Sequence, residues 1–93
     1  MKNKIDDSLL TQVAENYSRA LVTGGAGFIG SHICEELVKS DIEVISIDNF
    51  VAGKEENISH LFSYPNFRSV NCDITDFSSL AQWFDGVDIV FHN

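Results

Sequence analysis

The sequence predicts an α/β fold with one parallel sheet, whose elements follow in the order β-α-β-α-β-α-β. Short runs of β-branched and aliphatic residues alternate along the chain with stretches whose apolar residues recur at helical spacing. This alternation is typical of strands joined by right-handed crossovers, which place the strands parallel to one another. With 93 residues, the chain is long enough for one small domain.

Four apolar runs predict the strands, namely Arg19–Thr23, Glu43–Asp48, Phe67–Cys72 and Val87–Phe91. The second of these is mostly β-branched, as expected for a strand that is buried in a parallel sheet. Between the second and third strands, apolar residues predict a short helix around Ile58–Phe62. The turn formers Tyr64-Pro65-Asn66 end it.

Two further helices are predicted, and each has an apolar side. The first begins at Phe28 and is expected to face the sheet with two rows of residues: Ile29, Ile33 and Leu37, and Gly30, Cys34 and Val38. Its polar side carries Ser31, His32, Glu35, Glu36, Lys39 and Ser40. The last helix is expected to be capped by Thr75 or Asp76 and to have an apolar side formed by Phe77, Leu80, Ala81 and Phe84.

Composition argues against several classes of protein. A net charge of −8 is unsuited to a nucleic-acid surface, which requires clustered Lys and Arg. No run approaches the ~18 apolar residues of a membrane helix, and Asp6 and Asp7 interrupt any secretory signal. We therefore expect a cytoplasmic protein. Cys34 and Cys72 lie far apart in apolar patterns, which predicts reduced core thiols and no metal site.

Four of the six glycines lie within the seven residues Gly24–Gly30, where the first strand passes into the first helix. We call residues 24–27, between the strand and the helix, the glycine loop. We expect Gly24 to turn off the strand, Gly27 to leave space for a ligand, and Gly30 to let the helix pack closely. Unpaired N–H groups around Phe28 and Ile29 would then point at a bound pyrophosphate. This pattern indicates a Rossmann-type, doubly wound sheet. A turn that serves helix packing alone is the alternative.

An acidic residue follows each of the next two strands. Asp48 ends the second strand, where a carboxylate can accept hydrogen bonds from the adenosine ribose of NAD and repel the 2′-phosphate of NADP. NAD is therefore favoured, although Lys54 leaves NADP as an alternative and Asp48 could be a solvated loop acid. Asp73 follows the third strand and is a candidate for the adenine amino group, or else a turn former or helix cap.

The segment LVTGGAGFIGSH, residues 21–32, resembles the opening of extended short-chain dehydrogenases/reductases. It is most similar to their NAD-dependent nucleotide-sugar epimerase/dehydratase family, the UDP-glucose 4-epimerase type, whose TGxxGxxG pattern fits residues 23–30. The resemblance continues through Asp48-Asn49-Phe50 with Gly53 and Asn57, through Cys72-Asp73-Ile74, and through the last strand. It covers residues 19–93.

The resemblance implies contacts to NAD. It assigns Asn49, Ala52 and Gly53 to a loop that holds the adenosine, and Ile74 to the adenine beside Asp73. The predicted cofactor-binding residues are therefore Gly24, Gly27, Phe28, Ile29, Gly30, Asp48, Asn49, Ala52, Gly53, Asp73 and Ile74.

Residues 1–18 are predicted to be an N-terminal extension, in which residues 5–17 form a short amphipathic helix. Residues 19–93 are predicted to be the N-terminal part of an NAD-binding domain. Because the sequence stops within the fourth predicted strand, we expect it to be a fragment whose catalytic half lies further along a longer protein.

The family oxidises a sugar transiently with bound NAD and uses a Tyr-x-x-x-Lys pair as the base. Neither Tyr17 nor Tyr64 has a lysine at the fourth following position, so no catalytic residue is assigned and the 93 residues alone are expected to be inactive. His32, His60 and His92 are likewise expected to have non-catalytic roles. The resemblance implies a nucleotide-sugar substrate and, for the full-length protein, a homodimer. A non-catalytic NAD(P)-binding or sensor module is the alternative.

Overall fold

The structure, a computed structural model, describes residues 16–93. Four strands form one sheet: β1 (Arg19–Thr23), β2 (Glu43–Asp48), β3 (Phe67–Asn71) and β4 (Ile89–Phe91). The connections contain helix α1 (Phe28–Lys39), helix α2 (Phe77–Leu80) and three 3₁₀ helices, Glu55–Asn57, Ser59–Leu61 and Ala81–Phe84. The predicted alternation of strands and helices is confirmed, with 3₁₀ turns where a short helix was expected around Ile58–Phe62. Most of the predicted amphipathic helix, residues 5–17, lies outside the described residues.

All strand pairs are parallel, and the sheet order is β3-β2-β1-β4. The central strand β1 pairs with β2 from Arg19↔Glu43 to Thr23↔Ile47, and with β4 from Ala20↔Ile89 to Val22↔Phe91. Because the strands are parallel, their carboxyl ends lie along one edge of the sheet. The glycine loop and the segments that follow β2, β3 and β4 therefore converge at that edge, where open α/β sheets bind ligands.

The two faces of the sheet are covered unequally. Helix α1 and the 3₁₀ helices between β2 and β3 cover one face, with a core of Ala20, Val22, Ala26, Cys34, Leu37, Val38, Ile42, Val44, Ile58 and Leu61. The other face has a smaller cluster, Leu21, Ile47, Cys72 and Leu80. Within residues 16–93, no helix is long and apolar enough to cross a membrane.

The first turn of α1 differs from the prediction. Ile29, expected to face the sheet, is 66% exposed, whereas Ser31, expected on the polar side, is buried. The reason is that Gly30 is buried in this turn, at a place where a Cβ would overlap the Gly24 carbonyl and lie 3.0 Å from the Gly25 Cα. Ile29 is then rotated away from the sheet. The Ser31 hydroxyl tolerates burial because it donates a hydrogen bond to the Phe28 carbonyl.

The apolar side predicted for the last helix is also only partly correct. Leu80 is buried, but Phe77 is 78% exposed and Phe84 is 42% exposed. Helix α2 has one turn before the backbone tightens into the 3₁₀ helix Ala81–Phe84. With about three residues per turn, the side chain that joins Leu80 on the sheet is Trp83. The cap is Asp76, whose carboxylate accepts from the Ser79 N–H.

Strand β4 begins at Ile89 rather than at Val87 as expected, because the Val87 N–H donates to the Phe84 carbonyl and closes a turn. The next residue, Asp88, ties β4 to the start of β1. Its carboxylate accepts from the Arg19 N–H at 2.9 Å and from the N–H and hydroxyl of Ser18, both at 3.2 Å. These hydrogen bonds, led by that of the Arg19 N–H, lower the pKa of Asp88.

We predict that Asp88→Asn lowers the free energy of unfolding at neutral pH. Because the native pKa lies below the unfolded value, the stabilisation is present above the unfolded pKa and disappears as the pH falls through the native pKa. The difference between wild type and variant should therefore shrink as urea unfolding is repeated down to about pH 3. Asp85→Asn is the control, since Arg19 uses the main-chain carbonyl of Asp85. A pH-independent difference would contradict the assignment.

Candidate functional site

The glycine loop begins where β1 ends and remains attached to β2. Gly24 has φ of 66°, in the left-handed region that favours glycine, so the predicted turn is present. Its N–H donates to the Ile47 carbonyl at 2.8 Å, and the Gly27 N–H donates back to the Gly24 carbonyl at 3.0 Å. The chain thereby passes from β1 into α1 within four residues.

Gly25 has a steric role that the sequence analysis missed. A Cβ at this position would overlap the Ser46 hydroxyl and lie 2.8 Å from the Ser46 Cβ. Ser46 itself is fully buried in β2. Only a residue without a side chain lets the loop lie this close to β2. The signal would have been a small residue in the middle of an otherwise apolar strand.

Gly27 and Gly30 have different surroundings. A Cβ on Gly30 would overlap the Gly24 carbonyl, so Gly30 allows close packing, against the loop backbone rather than the strand. Among residues 16–93, a Cβ on Gly27 would meet only the Gly24 carbonyl, at 3.3 Å, and would otherwise project into open space. This open space lies at the N-terminus of α1, where the prediction requires room for a ligand.

No side chain of the described residues caps the N-terminus of α1, and the first turn of the helix contains no acidic residue. Phe28 and Ile29 follow Gly27 and are both largely exposed. The first N–H groups of a helix have no partner within it, and they carry the positive end of the helix dipole. The geometry is therefore suited to an anionic group of a ligand.

Asp48 lies at the carboxyl end of β2, beside the glycine loop. One carboxylate oxygen accepts from the Ala26 N–H at 2.9 Å, and the other accepts from the Phe50 N–H at 2.8 Å. Phe50 has φ of 61°, so the backbone turns sharply after the strand. A carboxylate oxygen has more than one lone-pair site, so both oxygens could still accept from a ligand hydroxyl.

The segment after Asp48, which we call the adenosine loop (residues 49–53), folds back over the glycine loop. The Asn49 side chain accepts from the Val51 N–H at 3.1 Å, and Ala52 is exposed. Gly53 lies against Ala26 and Asp48, where a Cβ would come within 3.0 Å of the Ala26 carbonyl carbon. The two predicted ligand-binding loops are thus in direct contact.

Asp73 and Ile74 follow β3 at the same edge of the sheet. The Asp73 carboxylate accepts hydrogen bonds from the N–H and the hydroxyl of Thr75, at 2.9 and 2.7 Å. Both bonds lower the pKa of Asp73, and the bond from the Thr75 N–H has the larger effect. This is the geometry of a turn former. Ile74 is 39% exposed. The turn leaves the second oxygen of Asp73 without a bond within residues 16–93, so a role in adenine binding remains a prediction.

A second feature absent from the sequence analysis joins the ends of β1 and β4. The Thr23 hydroxyl lies 2.8 Å from Nδ1 of His92 and accepts from the Asn93 N–H at 3.0 Å. The Asn93 side-chain amide donates to the Thr23 carbonyl at 2.9 Å. These bonds continue the attachment of the two strands beyond their last ladder pair and fix the residue from which the glycine loop starts.

The other histidines and the cysteines that the sequence analysis considered have contacts of their own. His60 pairs with Glu35 at 2.7 Å, and the His32 ring packs edge-on against Phe28 at 4.8 Å. Cys34 and Cys72 are buried free thiols, as predicted. Burial raises the pKa of Cys34 to about 12, which keeps that thiol protonated. No cluster of potential metal ligands occurs in the described part of the chain.

Residues 20–93 match the sequence profile of the NAD dependent epimerase/dehydratase family. The chain belongs to this family. A curated family relative, UDP-glucuronic acid decarboxylase 1 of Arabidopsis thaliana, is 50% identical over 58 residues, which are 62% of this chain and 13% of that protein. The resemblance found in the glycine loop and after β2 and β3 is thereby confirmed.

Solved structures of the same kind superpose on the fold. An epimerase from Methanothermobacter thermautotrophicus matches with a TM-score of 0.77 and 35% identity, over 91% of this chain and 25% of that one. The enzyme WbmH of Bordetella bronchiseptica, solved in complex with NAD+, matches with a TM-score of 0.75 and 34% identity, over 84% and 26%. The chain therefore spans about a quarter or less of the length of these proteins.

We predict that Gly25→Ala destabilises the domain by about 1–3 kcal/mol, because the new methyl group overpacks the contact with Ser46. Ser46→Gly should relieve the overlap, although glycine within a strand costs about 1 kcal/mol. The double variant should consequently be at least about 1 kcal/mol more stable than the sum of the two single effects. Urea unfolding of the four proteins measures this coupling, and strict additivity would contradict the steric explanation.

Proposed function

We propose that residues 19–93 bind NAD as the N-terminal portion of a nucleotide-sugar epimerase/dehydratase. The observation that carries the proposal is the uncapped N-terminus of α1 behind Gly27, whose missing side chain leaves open space in front of the helix. The pyrophosphate would occupy this space. Main-chain N–H groups at a helix N-terminus hold phosphate oxygens without any basic side chain.

The adenosine half would lie along the carboxyl edge of β2 and β3. Asp48 accepts a hydrogen bond from the Ala26 N–H of the glycine loop, and its carboxylate would accept from the ribose hydroxyls that follow the pyrophosphate. Asp73 and Ile74 would flank the adenine at the next strand end. Asn49, Ala52 and Gly53 would form the wall of the site through the adenosine loop. These assignments place one extended ligand across one sheet edge.

The cofactor would supply a hydride acceptor that oxidises a sugar hydroxyl transiently. The contribution of residues 19–93 is to bind and orient the cofactor, since the 93 residues contain no Tyr-x-x-x-Lys pair. The similarity to a UDP-glucuronic acid decarboxylase supports a nucleotide sugar as the substrate. A cytoplasmic location, a homodimeric full-length protein and an inactive 93-residue chain belong to the same proposal.

The alternative function, a non-catalytic NAD(P)-binding or sensor module, uses the same residues 19–93 and the same cofactor. A turnover assay of the full-length protein with UDP-sugars separates the two functions. Conversion of a sugar supports the enzyme, whereas NAD binding without any turnover supports the module.

We predict that Gly27→Val weakens NAD binding at least about a hundredfold, because the valine side chain would occupy the place of the pyrophosphate and remove its hydrogen bonds. The helix should survive, since a Cβ at this position meets only the Gly24 carbonyl. Calorimetric titration measures the affinity, and far-UV circular dichroism checks that the helix content is unchanged. Tight NAD binding by a folded variant would exclude the proposed site.

We predict that wild type prefers NAD to NADP and that Asp48→Asn lowers this preference about tenfold, because the repulsion between the Asp48 carboxylate and the 2′-phosphate is removed. The ratio of the two dissociation constants is the informative quantity. Any disturbance of the glycine loop affects both cofactors and cancels in that ratio. A ratio that does not change would remove Asp48 from the vicinity of the ribose.

A further inference from the structure

The main chain of Ala26 is hydrogen-bonded both to the last residue of β2 and to the segment that follows β2. Its N–H donates to the Asp48 carboxylate at 2.9 Å. Its carbonyl accepts two hydrogen bonds, from the Lys54 N–H at 3.0 Å and from the side-chain amide of Asn57 at 2.8 Å. Ala26 is the middle of the glycine loop, so these bonds connect that loop to residues of the next crossover.

The contact between the two loops is close as well as hydrogen-bonded. A Cβ on Gly53 would lie 2.5 Å from an Asp48 carboxylate oxygen and 3.0 Å from the Ala26 Cβ. There is consequently no room for a side chain between the glycine loop and the adenosine loop. The two loops form one continuous surface. The position of the glycine loop relative to the adenosine loop depends on the hydrogen bonds to Ala26.

Asn57 is the side chain best placed to anchor this surface to the core of the domain. It ends the 3₁₀ helix Glu55–Asn57, is half-buried, and lies 31 residues from Ala26 in sequence. The next residue, Ile58, is fully buried in the core under α1. The Asn57 amide therefore connects the glycine loop to the packed core, whereas Lys54 is exposed and directly follows the adenosine loop.

We propose that Asn57 is a positioning residue that locks the glycine loop to the adenosine loop, and so sets the spacing between the pyrophosphate and ribose sites. The inference rests on the proposed NAD site. Without this lock, a ligand that spans both loops must order them on binding, which weakens its affinity. A ligand that uses only the adenosine side does not incur this cost.

Asn57→Leu removes the amide while keeping a side chain of similar size and no charge. Asn66→Leu is the matched control, because the Asn66 amide also donates to main-chain carbonyls, those of Val38 and Ile42 at 3.0 Å, but away from both loops. We expect Asn57→Leu to weaken NAD binding about tenfold, the effect of one lost buried hydrogen bond. Adenosine binding, followed by chemical-shift titration, should be unchanged. Asn66→Leu should lower stability and leave the NAD affinity as in wild type.

Hydrogen exchange provides a second readout that does not depend on a ligand. Amides of the glycine loop should exchange faster in Asn57→Leu than in wild type or Asn66→Leu. The positioning role of Asn57 would be overturned if wild type and Asn57→Leu bound NAD with equal affinity, or if Asn57→Leu and Asn66→Leu lost NAD affinity equally. Either result would leave the proposed NAD site intact. If wild type itself fails to bind NAD, the proposed function fails, and the inference fails with it.

Discussion

Gly24 and Gly25 both direct their N–H groups at the Ile47 carbonyl, and this attachment of the glycine loop to β2 controls the geometry of the whole carboxyl edge. It brings Gly25 onto Ser46, where no side chain fits, and it turns the chain so that α1 starts only a few residues beyond β1. The helix N-terminus consequently faces the edge of the sheet. Gly30 then lies against the loop, because the turn leaves no space for a larger residue.

An acidic protein can hold an anionic cofactor at such an edge because the positive potential comes from the main chain. The formal net charge is −8, and the glycine loop contains no Lys or Arg. Oriented N–H groups supply the attraction locally, and it falls off within the first turn of the helix. Asp48 stands close by, and its carboxylate accepts hydrogen bonds from the Ala26 and Phe50 N–H groups.

The sheet faces differ in how they contribute to stability. The face under α1 contains most of the fully buried side chains, so its packing supplies most of the hydrophobic stabilisation of residues 16–93. On the other face, one helical turn and a 3₁₀ helix cover the strands, and Phe77, Phe84 and Val90 remain exposed. The Asp88 carboxylate stabilises the pairing of β4 with β1 by accepting hydrogen bonds from the N–H groups of Ser18 and Arg19.

The sequence by itself determined the order of strands and helices, the turn at Gly24 and the positions of Asp48 and Asp73 at strand ends, because periodicity, glycine and strand-end acids are local signals. Only the tertiary structure decided that the first turn of α1 buries Ser31 and exposes Ile29, and which residues from distant segments meet. The bonds from Asn57 to Ala26 and between Thr23 and His92 join residues 31 and 69 positions apart. Such contacts depend on strand order and on close backbone approach, which no local pattern contains.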